Sequence, residues 1–347
     1  MADELVGITE IAKLARVSRQ AVANWRARFP DFPDPVAELR SGPVFRGSQV
    51  RKWLRSRRVS MAYVISTINL KGGVAKTTTT VAIAEVLSSD FHKRVLVIDL
   101  DPQTNATALL IGDERWGVLN EQDHTLARLF KDALLPPSER SFDLDETLQR
   151  RVSSVASVRT VDLLPSSLEL IDIQDQLGAM PSGRFYAITP TDILGRAVRP
   201  ILDDYDYVLI DCPPNMGIVT LNGLKISDGY IIPVIPDYLS TYGIPQIESR
   251  VAEFSREIGE AIKPIGIVIS KYREQAILHK TTVNRLRERA TQVEGSTRVF
   301  ETVIPEASDI TNSAEFKNGS TMTQKYGSRF YSLFQKLTKE ILTAVEG

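Results

Sequence analysis

The sequence predicts an α/β protein: a mostly parallel sheet with helices on both faces, preceded by a small domain at the N-terminus. Three observations carry this expectation. Near-continuous apolar runs alternate with helical patterns through residues 59–347, which is how strands covered on both faces read. A glycine-containing loop lies between the first of these runs and a long apolar helical stretch. The first 60 residues differ in charge, with 12 Lys/Arg against 6 Asp/Glu, while the remainder holds 30 against 37. A balance of +6 on a small head and −7 on a larger body points to nucleic acid as a partner of the head.

The totals set limits. A chain of 347 residues has room for one large or two unequal domains. Apolar content of 43% and charged content of 24% are those of a soluble globular protein. No apolar run approaches the roughly 18 residues that span a bilayer. The start, Met1-Ala2-Asp3-Glu4, is acidic where a signal peptide is basic. The expectation is a cytoplasmic protein with no membrane partner. The single cysteine, Cys212, permits no internal disulfide and reads as a small buried residue. His92, His124 and His279 lack metal-ligand spacing.

In chain order, Thr9 is expected to cap a short helix whose apolar face is Ile11, Ala12 and Leu14. Ser18 is expected to cap a second, with Ala21, Val22 and Trp25 inside. Two short helices joined tightly make a helix-turn-helix. The second presents Ser18, Arg19, Gln20, Asn24 and Arg28, whose types suit phosphates and the edges of guanine and adenine in a major groove. Arg16 stands where such motifs often carry glycine. A small hairpin turning at Ser41-Gly42 and a third helix over 47–57 follow. This stretch resembles the winged, MerR- or excisionase-like helix-turn-helix domains, the hairpin being the wing. The expected domains are therefore 1–58 and 59–347, joined by a short junction near Val59-Ser60.

Strands are expected at 62–68, 94–99, 160–164, 206–211, 229–235, 264–270 and 299–304. The polar segment 112–158, with Pro136-Pro137 inside it, reads as a helical and loop insertion. A last helix over 330–345 carries Phe330, Leu333, Phe334, Leu337, Ile341 and Val345 at helical spacing and is expected to pack on the sheet.

The chemistry concentrates in Thr67–Thr80, a strand, a loop and a helix start. Gly72 and Gly73 let the backbone approach an anion, and the following helix adds the positive end of its dipole. Lys76 is placed for β- and γ-phosphates, and the Thr77 hydroxyl for Mg²⁺. The standard Gly-x-x-x-x-Gly-Lys-Ser/Thr pattern is not fully met, since Leu70 and Ala75 hold its glycine positions and Lys71 precedes the glycine pair. The second strand ends in Asp99-Leu100-Asp101-Pro102-Gln103-Thr104-Asn105-Ala106-Thr107, and the fourth in Asp211-Cys212-Pro213-Pro214. Carboxylates at the carboxyl ends of parallel strands emerge beside a bound ligand, where they can hold Mg²⁺ or orient an attacking water.

Lys-Gly-Gly-x-x-Lys-Thr with Asp-x-Asp-Pro-Gln-x-Asn-Ala-Thr and Asp-Cys-Pro-Pro resembles the ParA/MinD ATPases and their deviant Walker A loop, over about residues 61–347. The resemblance implies a weak ATPase with ATP and Mg²⁺ as cofactors. Lys71 would reach the nucleotide of the opposite subunit, and Lys71, Lys76 and Asp101 would be catalytic. The nucleotide would lie on Lys71, Gly72, Gly73, Val74, Ala75, Lys76, Thr77 and Thr78, with Ile304 and Pro305 near the base. Thr77, Asp99 and Asp211 would serve the metal. It further implies an ATP-dependent homodimer that binds DNA nonspecifically, a ParB-like centromere-binding partner that stimulates hydrolysis, and association with the nucleoid. Lys280, Arg285 and Arg289 are candidates for that DNA contact, with Lys271, Arg273, Arg287, Lys317 and Lys325 as further cations. The head would add operator binding. Two other functions remain open: a nucleotide-switched transcription regulator, and a positioning ATPase for a protein cargo.

Overall fold

The structure, a computed structural model, describes residues 4–15, 19–39, 41–56, 62–179, 189–293, 295–306, 316 and 318–346. The chain divides into two packing units, one of Met1–Ala62 with Pro200–Asp206 and one of Tyr63–Arg199 with Tyr207–Gly347.

The small unit runs β1 (Leu5–Gly7), α1 (Ile8–Leu14), α2 (Arg19–Arg28), β2 (Ala37–Leu39), β3 (Gly42–Arg46) and α3 (Gly47–Ser56). β3 is the centre of a three-stranded antiparallel sheet of order β1-β3-β2. β1 was not expected, because three residues offer no periodicity to read. Its presence moves the helix start, so that Thr9 lies inside α1 rather than capping it. Gly7 N–H instead donates to Glu10 Oε2 at 3.0 Å, the half of a capping box that reaches backwards. The inner face of α1 is Ile11 and Ala12, which pack, with Ala15 just after the helix, against Val22, Phe32, Phe45, Val50 and Trp53. Leu14, expected inside, is 46% exposed. The Phe32 ring meets Trp53 at 4.7 Å and Phe45 edge-on at 5.5 Å, and Trp53 Nε1 donates to Asp31 Oδ2. Leu39 pairs with Gly42, which therefore opens β3 at φ 117°. Arg16, Ser18 and the junction at 57–61 lie outside the described residues.

The large unit begins with β4 (Tyr63–Thr67), α4 (Lys76–Ser89), β5 (Val95–Asp99), α5 (Asn105–Ile111), α6 (Asp113–Glu121), α7 (Leu126–Asp132), α8 (Leu144–Thr147) and β6 (Val161–Leu164). It continues with α9 (Leu170–Gly178), α10 (Ile193–Val198), β7 (Tyr207–Asp211), α11 (Ile218–Lys225), β8 (Gly229–Val234), α12 (Tyr238–Ile258), β9 (Lys263–Tyr272), α13 (Ile277–Gln292), β10 (Val299–Pro305) and α14 (Met322–Glu346). The strands form one seven-stranded sheet of order β10-β9-β8-β4-β7-β5-β6, every pairing parallel. Each strand falls where an apolar run placed it.

Both faces are covered, which is why the runs are continuous rather than alternating. Ile65, Val97 and Leu209 face α4 and α14 in one apolar cluster with Val86, Phe334 and Leu337. Val64, Leu96, Val208 and Ile210 are equally buried, and by the two-residue period of a strand they point the other way. Gly223 of α11 lies against that second face: a Cβ there would come within 3.2 Å of Ile210 Cγ2. α14 starts eight residues before the helical spacing suggested. Gly327, at φ 72° and ψ 151°, kinks it between the two parts. Among the described residues no helix is long and apolar enough to cross a membrane.

Candidate functional site

β4 is the central strand, flanked by β7 and β8. The loop that leaves its carboxyl end therefore sits between the ends of neighbours, and the register sets Thr67 beside Asp211 and Asp99 beside Asp211. The loop closes onto α4 through Ala75, at φ 63° and ψ 32°. That left-handed conformation is the one a glycine adopts without cost, which explains why the standard pattern has glycine there; alanine holds it with about 1 kcal/mol of strain. No side chain caps the start of α4, so its first N–H groups face the loop's concavity.

Around this cradle the polar side chains hold one another. Asn69 Nδ2 donates to Pro233 O at 2.7 Å and its Oδ1 accepts from Lys71 N–H at 2.8 Å, while Ser270 Oγ donates to Val74 O. Lys76 is buried, and its Nζ donates to Lys71 O at 3.2 Å. Burial pulls its pKa down, against the opposing pull of Asp211 and Asp101. Lys71 behaves differently. Its Nζ reaches away from the loop to Asp237 Oδ2, 3.0 Å distant, just before α12.

Thr77 Oγ1 donates to Asp211 Oδ2 at 2.6 Å. The other oxygen, Asp211 Oδ1, is buried with no hydrogen-bond partner among the described residues. Burial, with Asp99 nearby, raises the Asp211 pKa well above the carboxylate range. Asp99 is wholly buried and both its oxygens are engaged: Oδ2 accepts from Thr107 N–H and Oγ1, and Oδ1 from Asp101 N–H. Desolvation pushes its pKa to about 7, against those hydrogen bonds. Asp101 accepts from Gln103 N–H, and burial raises its pKa too. An orphaned carboxylate oxygen next to a threonine hydroxyl is a donor set that suits a hard cation. Among the described residues no group of three or more His, Cys, Asp or Glu side chains could hold a metal ion alone. Phosphate oxygens and water would have to complete the shell.

A cleft beside the cradle is lined by Ala75, Thr78, Thr79, Lys271, Ile304, Pro305, Glu306 and Phe334. It brings Ile304 and Pro305, 230 residues away in sequence, against the loop. Asp237 was invisible to sequence reading, because no motif surrounds it and only the fold brings it to Lys71. Thr107 and Asn69 stood inside the quoted motifs, but their hydrogen bonds had no sequence signal.

The expected DNA contacts are not gathered equally. Lys280, Arg285 and Arg289 are exposed on α13, the two arginines one turn apart on a single face. Arg287 turns inward to Glu301 O at 2.9 Å, and Arg273 is paired with Glu306. Lys325 cannot contact DNA: it is buried against Glu85, Nζ to Oε1 2.7 Å, with Tyr326 Oη and Ser153 Oγ donating to the same carboxylate. Helical spacing alone could not reveal this, since the partner lies on α4. Arg19 is exposed at the start of α2; nothing is described of the side chains of Gln20, Asn24 and Arg28, and Ser18 and Lys317 lie outside the described residues.

A strand, an anion-cradling loop and an uncapped helix, with carboxylates from two adjacent strands beside them, define the class of α/β proteins built on a phosphate-binding loop. A family model described as an AAA domain matches residues 62–264, and the chain belongs to that family. The chain is 32% identical over 273 residues, 79% of its own length and 71% of the relative's, to an uncharacterized protein of Mycobacterium tuberculosis. It is 28% identical to the chromosome-partitioning ATPase Soj of Thermus thermophilus, over 84% of this chain and 97% of that one. Among solved structures, cobyrinic acid a,c-diamide synthase from Mycobacterium smegmatis, with an ATP analogue and magnesium bound, superposes with a TM-score of 0.60 at 23% identity, covering 82% of this chain and 96% of that one. That likeness is one of fold.

Proposed function

We propose that the protein is an ATP-dependent DNA-partition ATPase that works as a nucleotide-sandwiched homodimer. The observation that carries this reading is the division of labour between the two lysines. Lys76 lies in its own loop, whereas Lys71 points out of it and rests on Asp237, half-exposed and able to leave. A cation held outside its own cradle is suited to the phosphates of a facing subunit.

In this reading the loop from Lys71 to Thr78 binds the triphosphate through backbone N–H groups and Lys76, and Ile304 and Pro305 border the base. Mg²⁺ would be held by Thr77 and Asp211, with Asp99 close behind; when bound it would neutralise charge on the phosphates. Asp99 fixes the Asp101 backbone, so that the Asp101 carboxylate can take a proton from, and orient, the attacking water. Lys71 from each subunit adds positive charge to the other's transition state. Closure is ATP-dependent, and hydrolysis reopens the dimer. Turnover is weak until a ParB-like centromere-binding protein stimulates it. Residues 59–347 form this ATPase and residues 1–58 a winged helix-turn-helix whose second helix, from Arg19 onward, reads an operator. Lys280, Arg285 and Arg289 grip phosphates nonspecifically and place the protein on the nucleoid.

The test is sedimentation with and without ATP·Mg²⁺. The wild type should shift to dimer and Lys76→Ala should not; identical profiles for both would remove the assignment.

A further inference from the structure

Among its described residues the large unit leaves few big apolar side chains in solvent, and most of those stand at one edge. Leu168 and Ile171 follow β6, Tyr238 and Tyr242 follow β8, and Ile277 and Leu278 follow β9. Because every pairing in this sheet is parallel, all three strands end on the side from which the phosphate-binding loop emerges. The two tyrosines are the most telling. They lie one helical turn apart at the start of α12, 62% and 65% exposed, their rings 5.7 Å apart, while Ile244, Ile247, Val251 and Phe254 bury the other face of the same helix. A pair of solvent-facing aromatic rings next to a binding site marks a surface that something covers.

We infer that Tyr238 and Tyr242 are the apolar anchor of the contact between two copies of this chain. The inference rests on the proposed reading in which Lys71 of each copy meets the other's phosphates. That exchange fixes where the two-fold axis runs: it must pass close to Lys71. Lys71 Nζ lies 3.0 Å from Asp237, and Tyr238 is the next residue. The start of α12 is thus enclosed between the protomers whenever Lys71 is delivered across. The charges agree, since moving Lys71 from Asp237 to a partner's triphosphate exchanges one anionic site for another and leaves no buried cation unpaired. An interface whose centre is polar needs apolar area beside it to be stable, and the tyrosines supply area with few rotamers to freeze.

The experiment uses the full chain with Mg²⁺ and a nonhydrolysable ATP analogue, and measures the dimer dissociation constant by sedimentation equilibrium. Nucleotide affinity is measured separately, in protein dilute enough to be monomeric. Tyr238→Ala and Tyr242→Ala should each weaken the dimer about tenfold and leave monomer nucleotide affinity unchanged. Val293→Ala is the control: Val293 is 53% exposed but lies after α13, at the opposite edge, and its loss should leave the dimer as it was. Tyrosine variants that dimerise like the wild type, or a control that weakens the dimer as much as they do, overturn this inference alone. A wild type that binds the analogue yet stays monomeric overturns the shared-nucleotide reading together with it.

Discussion

Lys325→Met removes the cation paired with a fully buried carboxylate. Glu85 is 0% exposed and holds three donors: Lys325 Nζ at 2.7 Å, Tyr326 Oη at 2.7 Å and Ser153 Oγ at 2.5 Å. With methionine at 325 the hydroxyl donors remain, but the carboxyl group must either stay charged without its counter-ion or take up a proton, at a cost in both cases. Breaking one side of such a pair costs about 3 to 5 kcal/mol. For a domain of this size each kcal/mol lowers Tm by about 2 to 4 °C, so a fall of about 6 to 20 °C is expected. Calorimetry or urea denaturation reads it, the latter as a lower midpoint at unchanged slope. Adding Glu85→Gln removes the stranded charge and should recover a good part of the loss, because the two residues form one unit. A loss below about 1 kcal/mol in the single variant, or no recovery in the double, would mean that water reaches Glu85. The reasoning that takes Lys325 out of any DNA-binding surface would then fail.

Asp101→Ala should bind ATP and dimerise but hydrolyse at least about 100-fold more slowly, the usual worth of a positioned base; wild-type turnover would remove Asp101 from the mechanism. Asp237→Ala releases Lys71 from an ion pair worth up to about 1 kcal/mol, so ATP-dependent dimerisation should tighten by up to about fivefold per protomer; a weaker dimer would show that Asp237 holds the closed state instead. The pH response of the nucleotide-free protein follows from Asp99, whose folded pKa of about 7 exceeds its ordinary value of 3.8. A raised carboxyl pKa contributes stability that is complete below 3.8 and is lost as pH rises through about 7, so Tm should decline across that window, and less so in Asp99→Asn. Binding of ATP·Mg²⁺ should show the opposite trend, tightening as pH rises through 7 with proton release visible in calorimetry across buffers. Arg285→Ala with Arg289→Ala should weaken binding to random DNA and lower the slope of log affinity against log salt by about 2; an unchanged slope would place the DNA elsewhere.

The sheet was legible because its physics is one-dimensional. A strand buried on both faces needs an apolar run, and runs such as Val95–Asp99 and Tyr207–Asp211 are bounded by charges and turns. The loop was legible because glycine, lysine and threonine must stand at fixed spacing to serve one anion. What remained hidden was of two kinds. β1 and the Glu10 cap are too short to carry a period, and without β1 Thr9 looked like the better start. Lys325 and Asp237 are ordinary charged residues until the fold sets Glu85 beside one and Lys71 beside the other. Leu14, expected inside, is exposed, and Ala15, which carried no expectation, is buried, because the edge of a short helix face cannot be fixed from sequence before its packing partners are known.

The placing of β4 at the middle of the order β10-β9-β8-β4-β7-β5-β6 bears on how the protein is made. The loop leaves the ribosome early, yet Asp211, Pro233 and Asp237, which complete its surroundings, follow more than 130 residues later. At about 5 to 20 residues per second the nascent chain spends several seconds or more with a loop that has neither Asp211 beside Thr77 nor Asp237 beside Lys71. A ligand of the completed loop would stabilise only chains in which β7 and β8 have taken their places on either side of β4.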